Sequence, residues 1–239
     1  MNHVGKRAQG FTLIELMLAM AFISALLLAI ALTIIQIGTI YNRGLALKDI
    51  NQAARDIASD VQRTISASGA ADLTSDYVET SAGGRVCLGS YSYIWNFAKT
   101  LELTPGNSNL VKFAGDASKT VRLVKVPDAT KQYCAKDSGG ALRTKDILTT
   151  DTKTAQDVLA GGEHNLGVQK FTITSRNSAY DATIDQRLYT LDYTLGTGSV
   201  NAMNSDQSAC LAPSNLNSDL TYCNVQTFSL VLRAGNRVN

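Results

Sequence analysis

Proline, histidine and tryptophan are all scarce in this chain of 239 residues, and each scarcity excludes something. The three prolines are Pro105, Pro127 and Pro213. Nothing in the first hundred residues therefore forbids a long unbroken helix, because a proline there would remove a backbone donor and clash with the preceding turn. The two histidines are His3 and His164. With His164 alone beyond the N-terminal segment, no Gly-x-Ser-x-Gly and no cysteine-histidine signature, a catalytic triad has no members to draw on. The chain reads as a non-enzyme that uses no cofactor. No Cys-x-x-Cys pair occurs, so a zinc site would need Cys87, Cys134, Cys210 and Cys223, or His164 with them, to converge from distant positions. Charge is balanced at 22 basic against 20 acidic side chains, which argues against bulk attraction to nucleic acid.

What the chain does have is one long apolar run near its start. After Lys6 and Arg7 the sequence is apolar from Phe11 onward, with a single acid at Glu15 and no further charge from Leu16 to Asn42. That uncharged part spans roughly 27 residues, or about 40 Å as a helix. It suffices to cross a bilayer core of about 30 Å with some tilt. Basic residues ahead of the run and none within it put the leader inside and the C-terminus outside. A secretory signal cut near Ala29-Ile30-Ala31 is the competing reading. Against it, the run is longer than the usual signal and continues to Ile40. A carboxylate inside a membrane helix costs about 2.5–3.5 kcal/mol at the centre, so Glu15 either snorkels to the interface or finds a partner.

Beyond Asn42 the sequence becomes polar but keeps a helical beat. Leu47, Ile50, Ala54, Ile57, Val61 and Ile65 recur at steps of three and four, which predicts an amphipathic continuation of one helix from Phe11 to about Ser66. Gly69 can cap its end. Ala70 to Gly84 has the composition of a loop. Alternating runs at Arg85–Trp95, Val168–Thr174, Leu188–Leu195 and Val225–Leu232 predict strands. Leu110–Phe113 and Thr120–Val126 suggest a hairpin, and Thr154–Leu159 a short helix ahead of Gly161-Gly162. One long helix followed by strands gives an α+β domain, the helix packing on an antiparallel sheet around one core.

Three further features have ordinary readings. Tyr91, Tyr93 and Trp95 at period two read as the packing face of a strand. Lys119, Arg122, Lys125, Lys131, Lys136, Arg143 and Lys145 give the middle of the chain a basic excess. It reads as a solvated face more readily than as a DNA-binding patch. The Asn201–Asp219 loop has oxygen atoms for calcium but no spaced ligand set, so no metal is assigned to it.

The segment Gly10-Phe11-Thr12-Leu13-Ile14-Glu15-Leu16, behind Lys6 and Arg7, resembles the processing site of type IV pilins and of the related pseudopilins. The texture of Asp49–Ile65 is similar to that of W-type minor pilins and J-type pseudopilins. The resemblance implies cleavage between Gly10 and Phe11 by a prepilin peptidase, methylation of the new N-terminus and retention of the helix. It also implies that Glu15 neutralises the freed amine of Phe11 on a neighbouring subunit. Loss of Lys6 and Arg7 would leave 20 basic against 20 acidic groups. The implied organisation is a leader at 1–10, a transmembrane and filament-core helix at 11–42, and an exported globular domain at 43–239. The implied function is a minor pilin of a type IV filament, acting in initiation or at the tip. Its partners would be other pilin or pseudopilin subunits, the peptidase and the membrane, with nucleic acid disfavoured. The implied location is the inner membrane, followed by a filament at the surface or in the periplasm. A J-type pseudopilin of type II secretion and a single-pass anchored binding domain are the alternatives.

Four cysteines in an exported domain read as disulfides, with three pairings open. Pilins often close the loop before the last strand with a disulfide. On that plan Cys210 joins Cys223 and Cys87 is left with Cys134.

Overall fold

The computed structural model describes residues 11–116, 118–159, 164–176, 187–197, 199–219 and 221–235. The expected pair Gly161-Gly162 lies outside them. The chain divides into two compact units, Met1–Asn42 and Arg43–Asn239. It is an α+β protein.

Helix α1 runs Leu13–Ser66. Within the first unit it is long and apolar enough to cross a membrane, and its large side chains, such as Leu18, Phe22, Leu27 and Ile34, are exposed. The hydroxyls of Ser24, Thr33 and Thr39 donate to the carbonyls of Met20, Ala29 and Ile35. Turned back in this way, they present no unsatisfied donor to an apolar surround.

Within the second unit the helix buries Ala46, Ile50, Ala54, Ile57, Val61 and Ile65. Leu47 was expected to open this stripe. It is 38% exposed, and the smaller Ala46 faces inward in its place. Each fully buried Ile or Val contributes about 1.5–3 kcal/mol. The glycine cap expected at Gly69 is also replaced. Among the described residues the left-handed glycines are Gly89, Gly115, Gly140 and Gly235, and at the helix end the Ser68 hydroxyl donates to the Ile65 carbonyl instead.

The stretch Ala70–Gly84 is more ordered than its loop composition suggested. It contains α2, Leu73–Asp76, capped by Asp72, and a three-residue strand β1, Tyr77–Glu79. Then come β2, Gly83–Leu88, β3, Tyr91–Asn96, α3, Ala98–Leu103, and β4, Leu123–Pro127. The last four strands are β5, Gln156–Leu159, β6, Gly167–Ser175, β7, Arg187–Thr197, and β8, Asn224–Ala234. Strands β1 to β5 form one antiparallel sheet in chain order, and β6, β7 and β8 form a second.

Two expected elements differ. Thr154–Leu159 contributes strand β5 and not a short helix, because pairing with Leu123, Val124 and Lys125 of β4 supplies hydrogen bonds that a lone helical turn lacks. The hairpin of Leu110–Phe113 with Thr120–Val126 does not form, and β4 pairs with β3 and β5 instead. A side chain does the pairing: the Asn96 amide donates to the carbonyls of Val111 and Val121, and its oxygen accepts from the Val111 N–H.

The main core joins α1 to both sheets. Ile50, Ile57, Val61 and Ile65 meet Val86, Tyr93 and Trp95 of one sheet and Phe171, Leu191 and Tyr193 of the other. A run of ring contacts from Tyr77 through Trp95, Phe171 and Tyr193 to Phe228 crosses between them. Gly84 has no side chain because Trp95 fills the space: a Cβ there would lie 2.4 Å from the indole Cζ2. One core was expected, but a smaller second cluster exists. Ile94, Val124 and Val126 point to the opposite face of the five-stranded sheet, where Phe113, Tyr133 and Ile147 cover them.

Candidate functional site

The start of α1 is shaped by Thr12 and Glu15. The Glu15 carboxylate accepts from the Thr12 N–H at 2.9 Å and from its hydroxyl at 2.8 Å, while the Glu15 N–H reaches the Thr12 hydroxyl at 3.3 Å. This is a reciprocal capping box, and it fixes where the helix begins. The Thr-x-x-Glu spacing was present in the sequence as a signal for it. Phe11 is 84% exposed, and Gly10 lies outside the described residues.

A second polar cluster fastens α1 to the five-stranded sheet. Lys125 of β4 donates to Asp60 at 3.0 Å and to Thr64 at 2.7 Å. The Tyr93 hydroxyl donates to Asp60 at 2.6 Å and shares a hydrogen bond with Thr64 at 2.7 Å. Lys125 is 11% and Asp60 19% exposed. Burial, helped by the bond to the Asp60 carboxylate, pushes the Tyr93 phenol well above its ordinary pKa. Lys125 also lies 4.5 Å from the centre of the Tyr91 ring. The aromatic row thus divides: Tyr93 and Trp95 are buried, while Tyr91 is 41% exposed beneath a lysine.

The cysteines fall into two pairs at bonding distance, Cys87 with Cys134 and Cys210 with Cys223. Beside the first pair Arg85 enters the fold and donates to the carbonyls of Tyr133, Thr144 and Lys145. Its pKa is lowered to about 10 by burial, which Asp146 partly offsets. Together the disulfide and the guanidinium hold the long connection between β4 and β5. Closing the Cys210–Cys223 loop stabilises by about 3 kcal/mol in the chain-entropy model. Non-reducing peptide mapping should return these two pairs, and four free thiols would be incompatible with them.

The basic series is largely spent inside the molecule. Lys125 pairs with Asp60, Lys131 with Asp76 and Lys119 with Asp157. Arg122 donates to the Leu166 carbonyl and to the Asn165 side chain. The remaining cations of the series, Lys136, Arg143 and Lys145, lie on the β4–β5 connection, too few for a continuous phosphate-tracking face. Several oxygens of the Asn201–Asp219 loop are likewise engaged. Asn204, Asn215 and Asp219 accept from backbone N–H groups a few residues ahead, as turn formers do. His164 bonds Asp49 of α1 at 2.6 Å.

No protein-family model, curated protein or solved structure matches this chain.

Sequence reasoning singled out Glu15, the cysteines, Tyr93 and Lys125. It missed the grouping of Asp60, Thr64, Tyr93 and Lys125, and the inward course of Arg85. Asp60 sits one position before a stripe residue, which is the available signal that it borders the buried face.

Proposed function

We propose that the chain is a minor pilin: a subunit of a type IV filament, processed between Gly10 and Phe11 and assembled through the first half of α1. The observation that carries this reading is the division of labour along α1. Its first part exposes an unpartnered apolar surface headed by a single carboxylate, and its second part forms the core of an α+β domain with paired cysteines. A plain membrane anchor needs neither a glycine before the run nor an acid five positions into it. A J-type pseudopilin would share every one of these features and differ in the machine it serves. In either case the subunit sits in the inner membrane with its domain outside before assembly.

Mass spectrometry of the protein taken from membranes should give an N-terminus at Phe11, methylated. An N-terminus just beyond Ala31 would mean removal of the helix as a secretory signal and would end this reading.

A further inference from the structure

A cleft of about 340 Å³ opens between α3, the Leu110–Val121 connection and the start of β4. Its size is at the small end of the range of pockets that hold organic ligands. Leu110 and Val121 form its floor, both nearly inaccessible, with Leu101 at the side. Around the floor stand Lys112, Lys119 and Arg122, against one acid, Glu102.

Among the described residues the charges are not balanced within the cleft. Both carboxylate oxygens of Glu102 face the neighbouring loop, one accepting from the Ser199 hydroxyl and the other from the Val200 N–H. Lys119 lies 3.6 Å from Asp157, but both side chains are about 40% exposed, so that pair contributes little. Arg122 donates to two neutral oxygens, at 2.7 and 2.6 Å. Among the described residues no carboxylate pairs with it, and its half-burial lowers its pKa with nothing opposing. Lys112 uses its backbone N–H on Asp146, while its ammonium has no hydrogen bond or ion pair among the described residues.

We propose that this cleft binds a small organic carboxylate with an apolar body. Ala98, Leu101 and Pro105, above the Leu110 and Val121 floor, take the body and the Arg122 guanidinium takes the carboxylate, with Lys112 beside it. A guanidinium has five N–H donors, and two are already committed, so about three remain for an anion. A carboxylate there meets a positive charge already partly stripped of water, where attraction is stronger than at the surface. A phosphate dianion would leave oxygens facing Leu110 and Val121 with nothing to donate to them, and so fits less well. This proposal does not rest on the filament reading.

The test uses the full chain in neutral-lipid nanodiscs, with 3-phenylpropionate as probe and saturation-transfer NMR as readout, empty nanodiscs being subtracted. A ligand of this size should bind with Kd of about 1 mM. The uncharged 3-phenylpropionamide should bind at least tenfold more weakly, and inorganic phosphate more weakly than the probe. Arg122→Gln should weaken the probe at least tenfold and Lys112→Gln about threefold. The lysine variant removes no hydrogen bond or ion pair among the described residues and so separates binding from folding. Equal binding of acid and amide, tighter binding of phosphate, or an unchanged Kd in Lys112→Gln and Arg122→Gln alike would overturn the proposal. A Glu163→Gln chain should bind as wild type. A tenfold gain there would mean that the protein supplies its own carboxylate to the cleft, and would also overturn it.

Discussion

A Glu15→Gln chain is expected to be processed, inserted and folded, yet to fall in sheared filaments by roughly two orders of magnitude relative to wild type. The magnitude follows from about 2.5–3.5 kcal/mol for a charge left unpaired at membrane depth, at about 1.4 kcal/mol per decade. Glutamine is the informative replacement because of the capping box. Its amide oxygen accepts from Thr12 as a carboxylate does, so the helix start survives and only the charge is lost. Thr12→Ala makes the opposite cut. It removes the cap, at about 1 kcal/mol, and leaves the charge, so filaments should persist. Glu15→Asp, with the charge retained on a shorter arm, should fall between. Filaments of Glu15→Gln as abundant as wild type would show that Glu15 serves its own helix alone, and intersubunit neutralisation would have to be abandoned.

Asp60→Ala should lower the stability of the folded domain by about 3–5 kcal/mol, because it leaves the Lys125 ammonium buried without its counter-charge. Thr64 and Tyr93 would still surround it, but their hydroxyls supply dipoles and no charge. Replacing both ions, as Asp60→Leu with Lys125→Met, should recover most of the loss, since an apolar pair of similar volume carries no desolvation penalty. The surface pair gives the contrast. Asp157→Ala, across from Lys119, should change stability by less than about 1 kcal/mol. Urea unfolding can be followed by Trp95, the single tryptophan and fully buried. If Asp60→Ala cost no more than Asp157→Ala, the cluster would be an ordinary surface contact.

Which parts of this architecture could be read from the sequence depended on how far each residue's role was set by its neighbours in the chain. Strands β6, β7 and β8 alternate over nine to eleven residues, long enough for period two to stand out, and α1 declares itself by length and stripe. Strands β1 and β5 have three and four residues. Too short to show a period, they exist because a longer strand lies beside them. Val111 and Val121 look like strand residues and are buried like them, but an asparagine amide from β3 supplies the hydrogen bonds, and no local pattern encodes that. At the helix start, Glu15 was legible as an anomaly in an apolar run. Its bond to Thr12 is written in the Thr-x-x-Glu spacing, a signal that an acid in a membrane run hides, because the run itself accounts for the helix. Arg85 looked like the first residue of a strand, and Lys125 like a surface charge in a basic stretch. Only the tertiary fold reveals that carbonyls enclose the one and a carboxylate the other.

Cys87 is fully buried in β2 and Cys134 is 4% exposed; Cys223 is as buried, at 2%, but its partner Cys210 is half-buried and the loop joining them is mostly open to solvent. An oxidising enzyme cannot reach a sulfur sealed beneath a finished sheet. The Cys87–Cys134 bond must therefore be made while the β4–β5 connection is still loose, and the Arg85 cage then closes over a linkage already in place. The Cys210–Cys223 bond is covered by its own short loop and not by a sheet, so local opening of that loop is enough to expose it. The two bridges thus differ in history: one is sealed in when the sheet is finished, and the other closes whenever its loop does.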